Sequence, residues 1–316
     1  MDLAINEIEK KLPVCDDLMD EQHGIQTHKY CAPIFIASIF SGTYFEKEEH
    51  LAPDKIDNNT TVRSGTVTFV SYKGDFFALT CKHVVEALER KQEKWKEEQK
   101  EKYNCEPPLD GFGFYTPIDN NQFHFNYKFT IIKQAESGQS ADIAIARVKY
   151  SSISRLNRTP ITLTAKKTYP ETGIASGYPE EQRIIKEGEK ISTFCPKFVT
   201  CIASLSETMN GNMYMEDKIT AHNDVDVLSG MSGGPVIWSS DKRFGLVGIV
   251  KEGYDIQPKE GGLTLEDSIL INVEKITPIL LDNWLGQVPK QNELKDESKS
   301  LRIPTKNRRS LFCGTL

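Results

Sequence analysis

From Val62 onward the chain repeats short runs of β-branched and aromatic residues, each closed by Gly, Asp, Asn or Pro: "VRSGTVTFV", "DFFALT", "FHFNYKFTIIKQ", "DIAIARVKY", "RFGLVGIV" and "SILINV". Such runs predict strands, and many of them with turn signals between predict a sandwich or barrels. Three passages break the pattern. "LERKQEKWKEEQKEK", Leu88 to Lys102, is polar nearly all round with alternating charges at helical spacing. It predicts a solvated helix inserted between strands, a docking site for a partner being the other reading. The first 61 residues hold a helical pattern over Leu3 to Lys11, the apolar "CAPIFIASIF" and the polar "EKEEHLAPDKIDNNTT", and are expected to form an N-terminal extension. "SSISRLNRTP", polar and ending in proline, is the candidate link between two β lobes. The expected organisation is therefore an extension over 1–61, a first β unit over 62–150 with its helix at 88–102, a second over 161–286, and a basic tail over 287–316.

Composition narrows the function. With 316 residues the chain can form roughly two domains or one two-lobed unit. It has no run of about 18 apolar residues, which argues against a membrane-spanning protein. Its acidic N-terminus lacks the basic start and apolar stretch of a secretory signal, so the expected location is cytoplasmic. Seven scattered cysteines, with no CxxC pair or Cys/His cluster at zinc spacing, read as reduced thiols, and neither a metal nor a cofactor is expected. A net charge of -6 and a pI near 5.7 argue against a nucleic-acid partner. The tail is an exception: Lys290 to Ser310 holds seven Lys or Arg against three acids and could meet an acidic partner.

One stretch carries chemistry. "SGMSGGPVIW" sets Ser232 among glycines ahead of an apolar run, and G-x-S-G-G-P should arise by chance in about one chain of this length in a few thousand. A glycine-rich turn feeding the strand "PVIW" is the plain reading. The catalytic reading requires a histidine to take the serine proton and a carboxylate to orient that histidine. The nucleophile elbow of the α/β-hydrolases places its histidine after the serine, and no histidine follows Ser232. Of the six histidines, His83 in "FFALTCKHVVEAL" sits where a buried strand gives way to a helical pattern, a place that presents a side chain at a cleft. His124 alternates within a strand, His222 lies in a loop near the serine and could also line a pocket, and His23, His28 and His50 fall in the extension. Asp142, at the mouth of the apolar "IAIA", needs a partner if buried.

Together "ALTCKHV", "ADIAIARV" and "GMSGGPV" resemble the histidine, aspartate and nucleophile segments of the chymotrypsin-like (trypsin-like) serine peptidases, in that family's order. The resemblance spans about Val62 to Leu280. It implies a mostly β fold of two packed six-stranded antiparallel β-barrels with the active site between them. It further implies a triad of His83, Asp142 and Ser232, and an oxyanion hole from the backbone N–H groups of Gly230 and Ser232. Gly253 matches the glycine that keeps the primary pocket open, and Asp226, six residues before the nucleophile, would favour Lys or Arg in that pocket. Lys251 and Glu252 depart from the family's Ser-Trp, and a Lys251 reaching Asp226 would neutralise the pocket. Met231 replaces the aspartate that precedes the nucleophile, and no "IVGG"-like N-terminus is evident, so the zymogen switch of the family is not expected. The resemblance is thus to an intracellular, non-zymogen type. It implies a serine endopeptidase that cleaves a protein or peptide substrate, under the control of an activating protein partner, in the manner of effector-activating proteases of bacterial stress response or antiviral defence. The competing reading is a silent peptidase fold that binds or senses.

Overall fold

The computed structural model describes residues 19–20, 24–35, 64–103, 114–118, 121–125, 128–133, 141–164, 172–179, 184–187, 192–195, 198–209, 212–218, 230–240, 243–256 and 268–290. In chain order the strands begin with β1 (Met19–Asp20), β2 (Gly24–Ile25), β3 (Cys31–Phe35), β4 (Ser64–Tyr72) and β5 (Asp75–Thr80). Helix α1 (Lys82–Tyr103) follows, then β6 (Phe114–Ile118), β7 (Asn121–Phe125), β8 (Thr130–Ile131) and β9 (Ala144–Arg147). After α2 (Tyr150–Arg155) come β10 (Ile161–Thr162), β11 (Thr172–Gly177), β12 (Ile184–Glu187), β13 (Ser192–Cys195), β14 (Val199–Glu207) and β15 (Met213–Lys218). The last are β16 (Pro235–Ser240), β17 (Arg243–Ile256), β18 (Ser268–Lys275) and α3 (Pro278–Leu285).

The fold is mostly β and two-lobed. Six strands, β11-β14-β15-β18-β17-β16, close into an antiparallel barrel in the second half. The first half is a sheet in the order β7-β6-β3-β4-β5-β9-β8, with β10 added parallel to β4. Among the described residues it has eight strands, against the six of the expected barrel. Its third strand in space is β3, which pairs with β4 from Cys31 opposite Thr68 to Phe35 opposite Ser64. Residues 31–35, read from the sequence as part of an extension, are therefore built into the sheet, with Cys31, Ala32 and Ile34 fully buried.

The β4–β5 hairpin fixes the register on which the rest is hung. Lys73 and Gly74 both have positive φ, 51° and 85°, the two-residue turn whose twist suits paired strands. Tyr72 then faces Asp75 and Thr68 faces Leu79. Because side chains alternate along a strand, "GTVTFV" sends Val67 and Phe69 into the apolar core and puts Thr66 and Thr68 together on the opposite face. Both threonines are fully buried, so that face too must be covered.

The short helical pattern after Thr80 and the polar run from Leu88 form one helix, α1, rather than a turn and a separate insertion. Val84, Val85 and Leu88 anchor its first turns in the first core. The segment proposed as the inter-lobe link holds α2, which buries Ile153, and leads straight into β10. The Leu3–Lys11 helix and the tail beyond residue 290 lie outside the described residues.

The lobes share apolar packing. Ile237, Phe244, Leu246 and Ile249 of the barrel belong to the same cluster as Phe69, Phe77 and Leu79 of the sheet. The C-terminal helix crosses back to close it. Thr277 caps α3 by accepting the Leu280 N–H, Pro278 opens the first turn, and Leu281 and Trp284 bury against the first core. Outside, Asp282 accepts from the Lys73 ammonium at 2.8 Å and from the Tyr72 hydroxyl at 3.0 Å, both at the solvent-facing end of the β4–β5 hairpin. Phe77→Ala or Trp284→Ala should each lower the unfolding free energy by about 3–5 kcal/mol, as large-to-small changes in a packed core do. Asp282→Asn, which removes only an exposed ion pair, should leave the denaturant midpoint within scatter. Chemical denaturation of the three variants measures the contrast.

Candidate active site

The threonine face of β4 is covered by the loop that carries Ser232. The Thr66 N–H donates to Ser232 O at 2.8 Å, the Thr66 hydroxyl to Gly230 O at 3.1 Å, and the Thr68 hydroxyl to Gly233 O at 2.7 Å. Thr80, at the end of β5, donates its hydroxyl to Thr66 O at 2.8 Å. From the barrel side, the Gly233 N–H donates to Val250 O and the Val250 N–H to Gly234 O, each at 2.8 Å. The loop is thus held from both lobes. Gly233 has φ 89°, and a Cβ there would stand 2.0 Å from Thr66 O, so no other residue fits. Gly230 is buried with φ 95°, again a conformation that L side chains rarely adopt. Met231 between them is fully buried in the barrel core with Val236, Trp238 and Met215. Apolar burial therefore anchors the residue where the family resemblance would place an ion-paired aspartate.

His83 stands in the first turn of α1, and Asp142 holds it twice. Asp142 Oδ1 accepts the His83 backbone N–H at 3.1 Å, and Oδ2 lies 2.7 Å from His83 Nδ1. The first contact satisfies one of the N–H groups that a helix start leaves without an intrahelical partner, and it places negative charge at the positive end of the helix dipole. The second fixes the imidazole plane. Burial alone would raise the Asp142 carboxyl; the His83 ring and N–H, with the Lys251 charge nearby, outweigh it and hold the carboxyl below its usual range. An ionised carboxylate only accepts hydrogen bonds. Nδ1 therefore carries a proton, and in the neutral imidazole Nε2 is the nitrogen with the free lone pair.

The Ser232 hydroxyl donates to Lys251 O at 3.0 Å. Lys251 is the extra residue of a β-bulge: Val250 opposes Val273 and Glu252 opposes Asn272, leaving Lys251 without a counterpart on β18. Its ammonium lies 3.9 Å from Glu274 Oε2, and the same oxygen accepts the Asp142 N–H at 3.2 Å. Burial raises the Glu274 carboxyl, countered by the Asp142 N–H and the Lys251 charge. Gly253 follows on β17, opposite Ile271. β16 begins at Pro235, opposite Ile249, so Lys251 to Ile256 continue past its end.

Of the residues singled out in the sequence, the structure brings His83 and Asp142 into contact, and it places Gly230, Ser232 and Gly253 on the loop and strand beside Lys251. Asp226 and His222 lie outside the described residues. His124 is on β7, in the outer part of the first sheet, and the His28 ring packs edge-on against Phe198. Three contributors were not singled out in the sequence: Thr66, Thr68 and Glu274. The alternating T-V-T of "GTVTFV" was their one signal for the threonines, and an acid ending the apolar "SILINVEK" was the signal for Glu274.

Cys81, His83 and Asp142 bring donor atoms within 4.8 Å of one another. These atoms are engaged elsewhere: the Cys81 thiol donates to Val250 O at 3.1 Å, and the imidazole and carboxylate are bonded to each other. Burial, with the nearby Asp142 and Glu274 charges, pushes the Cys81 thiol well above its ordinary value, the reverse of what a thiolate ligand needs. Burial likewise pushes Cys31 up to about 12. Iodoacetamide at neutral pH should therefore leave both thiols unmodified in the native protein and alkylate both after denaturation. Native-state modification of Cys81, read by peptide mass mapping, would contradict the placement of that side chain.

The family model described as "Trypsin-like peptidase domain" matches residues 63–249. Comparison with curated protein sequences gives no match. Among solved structures, the thermostable serine protease AL20 from an extremophilic microorganism is 11% identical, with 82% of this chain and 97% of that one covered at a TM-score of 0.42. The protease Anisep from Arthrobacter nicotinovorans is 10% identical, covering 82% and 95% at 0.40. The serine protease domain of the Sesbania mosaic virus polyprotein is 15% identical, covering 70% and 85% at 0.35.

Proposed function

Because the chain belongs to the trypsin-like peptidase domain family, we propose that it is a serine endopeptidase acting through Ser232, His83 and Asp142. The observation that carries this reading is the two-point hold of Asp142 on His83, 2.7 Å to Nδ1 and 3.1 Å to the backbone N–H, which leaves Nε2 as a base. In the reaction the Ser232 hydroxyl turns from Lys251 O to Nε2. Oγ attacks the scissile carbonyl as its proton passes to Nε2, and the imidazolium that forms is stabilised by Asp142. The carbonyl oxygen becomes an oxyanion, received by the N–H groups of Gly230 and Ser232, donors worth about 3–4 kcal/mol each in such sites. The proton then moves from Nε2 to the leaving amine. Water then attacks the acyl carbon as Nε2 takes its proton, the bond to Oγ breaks, and Oγ takes the proton back from Nε2, which releases the acid and restores Ser232.

The substrate backbone adds along β17 from Lys251 to Gly253, where that strand has outrun β16, and Gly253 leaves room for the primary side chain. With Asp226 at the base of that pocket the preferred residue is Lys or Arg. Met231, buried without a charge to be paired, supports an enzyme that needs no new N-terminal amine. On this reading the triad stands assembled and a protein partner acts by controlling the access of substrate to it, in the cytoplasm, on a specific protein target of the kind cleaved in bacterial stress response or antiviral defence.

Incubation with a proteome-derived peptide library, followed by mass-spectrometric mapping of new termini, tests the proposal. The wild type should cut after Lys or Arg, and Ser232→Ala should lose at least about 10⁴-fold in rate, as loss of a nucleophile does in comparable enzymes. Asp226→Ala should lose the Lys/Arg preference while still cutting. Equal product from wild type and Ser232→Ala would overturn the assignment. A wild type that binds peptides and cuts none would mean a binding module.

A further inference from the structure

Asp142 is tied to more than His83. Glu274, mostly shielded on β18 with 18% of its side chain exposed, takes the Asp142 peptide N–H on Oε2 at 3.2 Å. Two carboxylates so close repel one another, and a shielded carboxylate without a counter-charge is costly. Lys251 supplies that charge, its ammonium 3.9 Å from the same oxygen. The bulge at Lys251 joins these facts. With the extra residue in β17, one residue offers its carbonyl to the Ser232 hydroxyl and its ammonium to Glu274. Simple strand alternation does not require this; the bulge re-aims the residue.

We propose that Lys251 and Glu274 are positioning residues, a charge pair that fixes the main chain of Asp142 and sets the net charge against which the His83–Asp142 unit gains and loses its proton. The activity arm of the argument rests on the peptidase reading above; the charge arm does not. Among the described residues, the charged and titratable groups around this unit are Lys251 from β17, Glu274 from β18, the buried Cys81 thiol ahead of α1, and the Lys82–Glu86 pair on α1 itself, 3.6 Å apart and partly exposed. Only the charges of the first two can be removed with α1 left intact and, in Glu274→Gln, with an acceptor kept for the Asp142 N–H.

The sign of each effect follows from Coulomb's law. Loss of the Lys251 positive charge leaves Glu274 uncompensated and makes protonation of the unit easier, so its titration midpoint rises. Loss of the Glu274 negative charge leaves Lys251 uncompensated, and the midpoint falls. Each shift should be about half a pH unit, on the order of one charge several ångströms away in a partly solvated site. The midpoint read by either method is a macroscopic one that belongs to the pair rather than to either residue.

The test compares Lys251→Met, Glu274→Gln, the double variant and Lys251→Arg by two readouts. One is the acid limb of kcat/KM on a peptide substrate. The other is the His83 ring-proton resonance in NMR, which needs no substrate. Lys251→Met should move the midpoint up, Glu274→Gln down, and the double variant back to within about 0.2 unit of wild type. Lys251→Arg, which keeps the charge, should restore the wild-type limb. A merely structural role would move both single variants the same way or neither, and that result overturns the proposal. So does a Lys251→Arg that behaves like Lys251→Met. If Glu274→Gln does not fold, the half-exposed Lys251 still carries the comparison between Met and Arg. An inactive wild type with opposite NMR shifts would remove the peptidase reading and keep the pair. An active wild type with unmoved midpoints would do the reverse.

Discussion

The grip of β4 on the Ser232 loop is the constraint on which the rest of the structure depends. Three hydrogen bonds cross from Thr66 and Thr68 to the carbonyls of Gly230, Ser232 and Gly233. Each is worth only about 0.5–1.5 kcal/mol net, yet leaving such a buried carbonyl unmet would cost more. The contacts come from one lobe and the loop from the other. The lobes therefore cannot separate without exposing those groups, and the loop cannot relax without losing the apolar seat of Met231. A glycine at 233 is the price of that approach: the Thr66 carbonyl occupies the space a Cβ would take.

From this frame the electrostatics follow. Once the lobes are docked, α1 and its His83 face the bulge of β17, and Asp142 is shared between the two. It caps the helix, orients the ring, and through its peptide N–H leans on Glu274. The lowered carboxyl of Asp142 and the raised carboxyl of Glu274 are two outcomes of the same burial, separated by what each faces. Asp142 has the imidazole and the helix start. Glu274 has one N–H and a lysine 3.9 Å away. A charge-balanced site of this kind places the His83 imidazole, with Nδ1 held by Asp142, beside the bulge of β17.

What the sequence made legible was whatever local chemistry marks. Gly-x-Ser-Gly-Gly-Pro declares its loop because positive φ and close backbone approach demand those residues, and "DFFALT" declares its strand because apolar and β-branched residues run unbroken to Thr80. The eight-stranded first sheet was less legible. β3 joins β4 across a stretch of some thirty residues, and a non-local pairing leaves no local mark on "CAPIF", which read as an apolar part of an extension. α1 was split in the reading because its first turns are apolar and its remainder polar, although one helix can bury its start and solvate its end. Glu274 and the threonines escaped for a similar reason. Their roles depend on which strand lies across from them, which only the assembled barrel and sheet decide. Asp226, inferred from its offset to Ser232, falls in a segment outside the described residues.

The central claim is that Ser232, His83 and Asp142 stand assembled in the uncut chain. The most direct measurement is covalent labelling of the purified 316-residue chain by a fluorophosphonate, with the adduct located by mass spectrometry and no partner or processing step added. The account predicts one adduct on Ser232, formed by the wild type and lost in His83→Ala, because only a serine whose proton can be taken by Nε2 attacks phosphorus at a useful rate. No adduct on Ser232, or one that survives His83→Ala, would contradict it.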